Sequence, residues 1–202
     1  VDKTVAILST VHGFVSDESQ CEALREHLRA ISVTRDVAFT IHEIAMRAVG
    51  TSGTAVDKEV RVRTITEDAS MCSIRFVNNV KIASAVETRE VTDTQASANA
   101  EVWLTQIGFV YCFEFFKEGF RYGVVLDGGR EALKPMFVHI FVYKLKKFNE
   151  RGNFNNVADM TPGYMVELQC EEDAQTKDFG VRLLNFAKAL SPHIYLQEGS
   201  TR

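Results

Sequence analysis

The sequence predicts an α+β fold that is mostly antiparallel β-barrel, with amphipathic helices packed outside it. Three observations carry that prediction. Extended runs far outnumber the three helical ones, in the order β-α-β-β-β-β-α-β-β-β-β-α-β, an order with few βαβ units that disfavours a doubly wound parallel sheet. The runs are long and many, and a sheet of that size curls or closes on itself. The run from Met136 to Phe148 is apolar on both alternating faces, so both faces need a cover.

Each element has a local cause. Thr4 to Phe14 is apolar and β-branched and reads as a central strand. From Asp17, with Gln20 three residues on as a variant capping box, Cys21, Leu24, Leu28 and Ile31 fall on one helix face opposite Glu22, Arg25, Glu26 and Arg29. Val37 to Val49 returns as a strand with Phe39, Ile41 and Glu43 on alternate positions, and Gly50-Thr-Ser-Gly53 ends it. Lys58 to Thr66, Met71 to Val77 and Val80 to Val91 read as a meander turning at Glu67-Asp68 and Asn78-Asn79. Thr92 to Asn99 is small and polar, a loop, and Ala100 to Ile107 is a short helix closed by Gly108.

A hairpin follows. Phe109, Tyr111, Phe113 and Phe115 take every second position, Val110, Cys112, Glu114 and Phe116 the others, and Lys117-Glu118-Gly119 supplies a glycine turn before Phe120 and Tyr122 start the return strand. Asp127-Gly-Gly turns the chain into Met136 to Phe148, where Phe137, His139, Phe141 and Tyr143 share one face and Met136, Val138, Ile140 and Val142 the other. Asn149 to Pro162 is the longest loop. Gly163 to Glu171 is a strand with Tyr164, Val166 and Leu168 opposite Met165, Glu167 and Gln169. Thr176 caps a helix striped by Phe179, Leu183, Phe186 and Leu190; Pro192 stops it before a last strand, His193 to Leu196.

The 202 residues suit one well-filled domain spanning 1–202, and 46% hydrophobic with 25% charged residues argue against disorder. A net charge of −4 gives no overall field for nucleic-acid phosphates. Cys21, Cys72, Cys112 and Cys170 form no Cys-x-x-Cys pair and are most simply reduced, buried thiols of a cytosolic or nuclear protein. No apolar run is long enough to cross a bilayer as a helix, and the start Val1-Asp2-Lys3-Thr4 has no signal-peptide pattern.

Candidate chemistry is sparse. Glu59, Arg61 and Arg63 project from one strand face and, inside a barrel, could meet a polyphosphate, although a solvated strand face gives the same spacing. Glu167 and Glu171, with Glu172 and Asp173, could bind a divalent cation if they met in space; such a run is more often a strand end entering a helix cap. A metal-dependent triphosphate hydrolase wants acids alternating along single strands, and the hairpin offers only Glu114. His12, His27, His42, His139 and His193 lack metal-ligand spacing, and no nucleophile elbow, phosphate loop or dinucleotide fingerprint is present. Lys144-Leu-Lys146-Lys147, beside Tyr143 and Phe148, is a small basic cluster that an exposed strand end explains. No catalytic, cofactor-binding or metal-binding residue is therefore assigned.

The doubly apolar strand suggests instead an interaction protein whose second apolar face is buried by partners, through Phe137, His139, Phe141 and Tyr143, or through Met136, Val138 and Ile140 if the even set points outward.

Several stretches resemble subunit 18 of the Mediator head module. They are Trp103-Leu-Thr-Gln-Ile-Gly-Phe-Val-Tyr-Cys-Phe-Glu-Phe-Phe-Lys-Glu-Gly119, Gly163-Tyr-Met-Val-Glu-Leu168, and the ending Leu184-Asn-Phe-Ala-Lys-Ala-Leu-Ser-Pro-His-Ile-Tyr-Leu196. The resemblance is good from about Ala100 onward, while earlier residues agree only in their β-α-β order; the Arg-rich Val60 to Arg63 run and the Asn149 to Pro162 loop depart from the family. It implies a triphosphate-tunnel-like barrel without the enzymes' activity, no cofactor, a nuclear location, a heterodimer with a Mediator subunit 20-like protein, tethering by a helix of subunit 8, and a bridge between regulators and RNA polymerase II. The alternative from the residues is a metal-dependent RNA or nucleoside triphosphatase of the tunnel type, using Glu59, Glu167 and Glu171 for metal and Arg61 and Arg63 for phosphate.

Overall fold

The computed structural model describes residues 6–49, 55–65, 71–83, 85–127, 134–172 and 178–197. Along the chain lie β1 (Ala6–Val15), α1 (Glu18–Ile31), β2 (Val37–Val49), β3 (Ala55–Ile65), β4 (Met71–Ala83), β5 (Val86–Ser97), α2 (Ala100–Gln106), β6 (Phe109–Leu126), β7 (Met136–Phe148), β8 (Val157–Asp159), β9 (Tyr164–Glu172), α3 (Phe179–Ala189) and β10 (Tyr195–Leu196). Eight strands close a ring in the order β1-β5-β4-β3-β2-β6-β7-β9 and back to β1. Every pairing is antiparallel. β8 extends the sheet beside β7, and β10 beside β1.

The expected order of elements is reproduced, but two errors in it cancel. Lys117-Glu118-Gly119 is no turn: β6 runs straight through it, so the expected hairpin is one strand, and the missing strand is regained as β8 inside the predicted loop. Gly119 is there for another reason. A Cβ on it would stand 2.0 Å from the Val142 carbonyl oxygen and 2.6 Å from the Tyr143 Cα, so only glycine lets β6 and β7 approach this closely. Asn78-Asn79 is likewise no turn; β4 continues to Ala83, with a register irregularity between Asn78 and Lys81, and β5 occupies most of the predicted Thr92 to Asn99 loop. Polar residues there face solvent from a strand edge. Gly50 to Gly53, Glu67-Asp68, Gly128-Gly129 and Thr176 lie outside the described residues.

The cap on α1 forms as the sequence suggests: the Asp17 carboxylate accepts the Gln20 N–H at 2.9 Å, and the Ser16 hydroxyl donates to the Gln20 side chain at 2.9 Å. After α2, Gly108 takes φ +96, the left-handed conformation of a helix stop.

Two cores lie outside the ring. In the larger, α1 (Leu24, Leu28) and α3 (Phe179, Leu183, Ala187) cover the outward side chains of β1, β6, β7 and β9. In the smaller, Ala100 and Leu104 of α2 sit on Met46, Val60, Val62, Cys72 and Ile74 of β2, β3 and β4. This corrects one expectation. The even residues of β7, Met136, Val138, Ile140 and Val142, are at most 1% exposed beneath the chain's own helices, so they are not a surface waiting for a partner. The helices cover the even face, whereas the odd face turns Tyr143 into the ring and leaves Phe137 exposed.

Candidate functional site

Inward-pointing residues alternate around the ring and line a cavity of about 390 Å³. Its polar lining is dense: Glu43 from β2, Arg61 and Arg63 from β3, Arg75 from β4, Glu87 and Arg89 from β5, Lys117 from β6, Tyr143 from β7, and Glu167 and Gln169 from β9, with His12 from β1. The sequence singles out Arg61, Arg63 and Glu167 of this set, and Glu59 lies outside it. Lys117 lies in Lys117-Glu118-Gly119, which reads locally as a turn, and only the continuous β6 aims it into the ring. Glu87 and Arg89 alternate along β5, while Arg75 stands between Ser73 and Val77 on its face of β4, so neither strand carries a local mark of an inward charge.

The charges answer one another. Glu43 accepts Arg63 Nε at 3.2 Å and Arg61 Nη1 at 3.4 Å, and lies 3.8 Å from Lys117 Nζ. Lys117 also donates to Glu167 at 3.0 Å, and the Tyr143 hydroxyl donates to the same Glu167 oxygen at 3.1 Å. Arg61 is further held by Glu59 at 2.8 Å, Arg75 by Asp93 at 2.7 Å and Arg89 by Glu87 at 2.7 Å. Burial alone would raise the Glu43 carboxyl, yet Lys117, Arg63 and Arg61 outweigh it and hold the group below its ordinary range. Glu167 behaves the same way: burial raises it, and Lys117, with help from His12 and Gln169, carries it well below. Burial, then Glu167, pushes the Tyr143 phenol far up, so it stays a donor. Each arginine and lysine of the lining is thus committed to a carboxylate of this chain, and among the described residues no lining cation is set aside for phosphate.

The acidic set of the tunnel-enzyme alternative is not assembled. Glu59 lies with Arg61, Glu167 with Lys117, and Glu171 is exposed beside Phe137 and His139 in a separate shallow pocket. Asp173 lies outside the described residues, and among those described no three His, Cys, Asp or Glu side chains are placed to hold a metal ion.

The expected contact residues separate along β7. Phe137 is 41% exposed, His139 and Phe141 are half-buried, and rings run continuously from Phe137 through His139 and Phe141 to Phe39. Burial, then Arg121, lowers the His139 imidazole, which keeps it neutral at neutral pH. Tyr143 is 4% exposed and hydrogen-bonded to Glu167, so it is corrected from a contact residue to part of the cavity wall.

Glu114 has a structural partner set. Its carboxylate meets His42 Nε2 at 2.9 Å and accepts the Gly152 N–H at 2.8 Å, which ties the segment after β7 to the barrel wall. Phe154 of that segment packs with His42, Phe116 and Phe148. The four predicted rings of β6 do not share a face. A bulge opposite Ala45 and Met46 makes Cys112 an extra residue and shifts the phase, so that Phe109 packs on the smaller core while Phe115 lines the cavity. Three cysteines are buried as expected; Cys112 is exposed. In the basic cluster, Lys144 pairs with Asp159 and Lys146 with Glu118.

No family model matches the chain. It is 24% identical over 194 residues to the Mediator of RNA polymerase II transcription subunit 18 of Danio rerio, an alignment covering 93% of this chain and 86% of that protein. A chain of the Schizosaccharomyces pombe Mediator head module superposes with a TM-score of 0.62 at 12% identity, covering 91% of this chain and 92% of that one. HpAC1 from Hippeastrum, a structure reported with a dominant triphosphatase activity, superposes at 0.57 with 13% identity, covering 96% of this chain and 92% of that one. The two superpositions show the shared barrel.

Proposed function

We propose that this chain, a divergent member of the Mediator subunit 18 family, serves in the nucleus as a non-catalytic subunit of the Mediator head module. There it pairs with a subunit 20-like barrel protein, is tethered by a helix of subunit 8, and helps bridge regulators to RNA polymerase II. The observation that carries this is the end-to-end alignment, 93% of the chain against one Mediator subunit. The even face of β7 gives it no support, since the helices cover that face. The self-neutralised cavity agrees with it, because phosphoryl chemistry needs cations free to follow the charge that develops on the substrate. Phe137 leads the proposed partner contact, with His139 and Phe141 beside it, and Tyr143 only supports them from within.

Co-expression tests the reading: tagged chain together with subunit 20-like and subunit 8 proteins of its source is expected to yield a monodisperse ternary complex. A chain that stays monomeric in their presence overturns it. Phe137→Glu is expected to weaken that complex by at least tenfold in Kd while leaving the melting temperature of the free chain nearly unchanged, because the ring is exposed.

The four arginines of the cavity and the superposition with HpAC1 favour tunnel-type triphosphate hydrolysis as a second reading. Incubating purified chain with a nucleoside triphosphate and manganese is expected to release no phosphate above blank. Turnover that falls with Arg63→Ala would establish the enzyme instead.

A further inference from the structure

β6 is longer than the strand that flanks it. β2 pairs with it from Phe109 to Arg121, but β7 joins its other edge only at Phe115. Among the described residues, Phe109 to Glu114 therefore carries a ladder on one side alone. The segment after β7 does not complete it, since its contacts there are made through side chains, Gly152 N–H to the Glu114 carboxylate and Arg151 to Glu101 and the face of Tyr111. Between this edge and the end of β7 lies a slot of about 460 Å³, bordered by Tyr111 and Phe113 on one bank and by Leu145, Lys147 and Met160 on the other.

Exposed strand edges are normally guarded by charge, proline or a covering element. Here Val110, Tyr111, Cys112 and Phe113 are uncharged, and Val110 and Phe113 are 46% and 43% exposed. We propose that Phe109–Glu114 of β6 is a docking edge, and that an extended segment of another protein adds to it as a strand and fills the slot. An edge of unpaired main-chain groups selects an extended occupant, because a helix has spent its own N–H and C=O groups internally and cannot bond to it. Alternate apolar side chains of the segment would lie on Phe113 and Met160. An acidic residue would meet Lys147, which has no ion pair among the described residues. A second copy of this chain fits less well, since it would crowd two Lys147 and two Arg151 side chains around one slot. The inference does not depend on the assembly in which the chain serves.

The test uses the full chain and a displayed library of random octapeptides. Enriched peptides are expected to alternate β-branched or aromatic residues, to carry at least one acid, and to slow hydrogen exchange of the Phe109–Glu114 amides while leaving Phe120–Leu126 unchanged. Val110→Lys and Phe113→Glu, each confirmed folded by its melting curve, are expected to weaken binding at least tenfold. Lack of enrichment overturns the proposal, as do protection mapping elsewhere, binding unaffected by both variants, and free chain that is already protected at Phe109–Glu114, including protection through self-association.

Discussion

Glu43→Ala is expected to destabilise the protein by about 3–5 kcal/mol, the cost of stripping a buried cation of its partner. Glu43 is 2% exposed and is the acid shared by Arg61, Arg63 and Lys117. Without it Arg61 keeps Glu59 and Lys117 keeps Glu167, but Arg63 has no other carboxylate among the described residues. Glu43→Gln preserves volume and is expected to cost most of the same amount, which would assign the loss to charge. Urea denaturation at pH 7 measures both, and a change below about 1 kcal/mol, the scale of surface pairs, would contradict a cavity closed on its own ion pairs. The sign with pH follows from the same groups. The carboxyls of Glu43 and Glu167 are lowered from an ordinary value of 4.5, so the unfolded chain takes up their protons first. Their contribution is complete above that value and is lost progressively as pH falls below it, and the acid slope of stability should be shallower in Glu43→Gln.

Gly119→Ala is expected to cost at least about 3 kcal/mol, the upper end of overpacking, because the added carbon meets main chain that cannot rotate away. Gly108→Ala is the control. It also asks alanine to adopt a glycine conformation, at φ +96, but finds nothing within 4 Å, and should cost only about 1–2 kcal/mol. Melting curves of the two variants separate close approach from backbone strain, and equal losses would refute the close approach of β6 to β7.

Period-two alternation was enough to read the barrel, because a closed antiparallel sheet obeys it on every strand. It also put Arg61 and Arg63 on one strand face, but only closure of the ring says that this face points inward. It failed at Gly119 and at Asn78, which look like punctuation, although Gly108 does stop its helix. Gly119 marks proximity between strands, which local sequence does not encode, and Asn78 continues a strand through an irregularity instead of ending it. The partners of Glu43 were hidden for a similar reason: they come from β3 and β6, and only closure brings them together. The two-faced greasiness of β7 calls for a cover on each face, but local sequence does not say which: α1 and α3, far away in sequence, lie on the even face, and the odd face is open at Phe137.

Closure of the ring also sets a timetable. Ile7 pairs with Glu172, and Val11 with Leu168, so β1 leaves the ribosome about 150 residues ahead of β9 and waits for it before this edge is occupied. Such distant pairings make folding slow. During synthesis β1 stays open to chaperones and to misassociation, and truncation before β9 leaves the wall breached between β1 and β7.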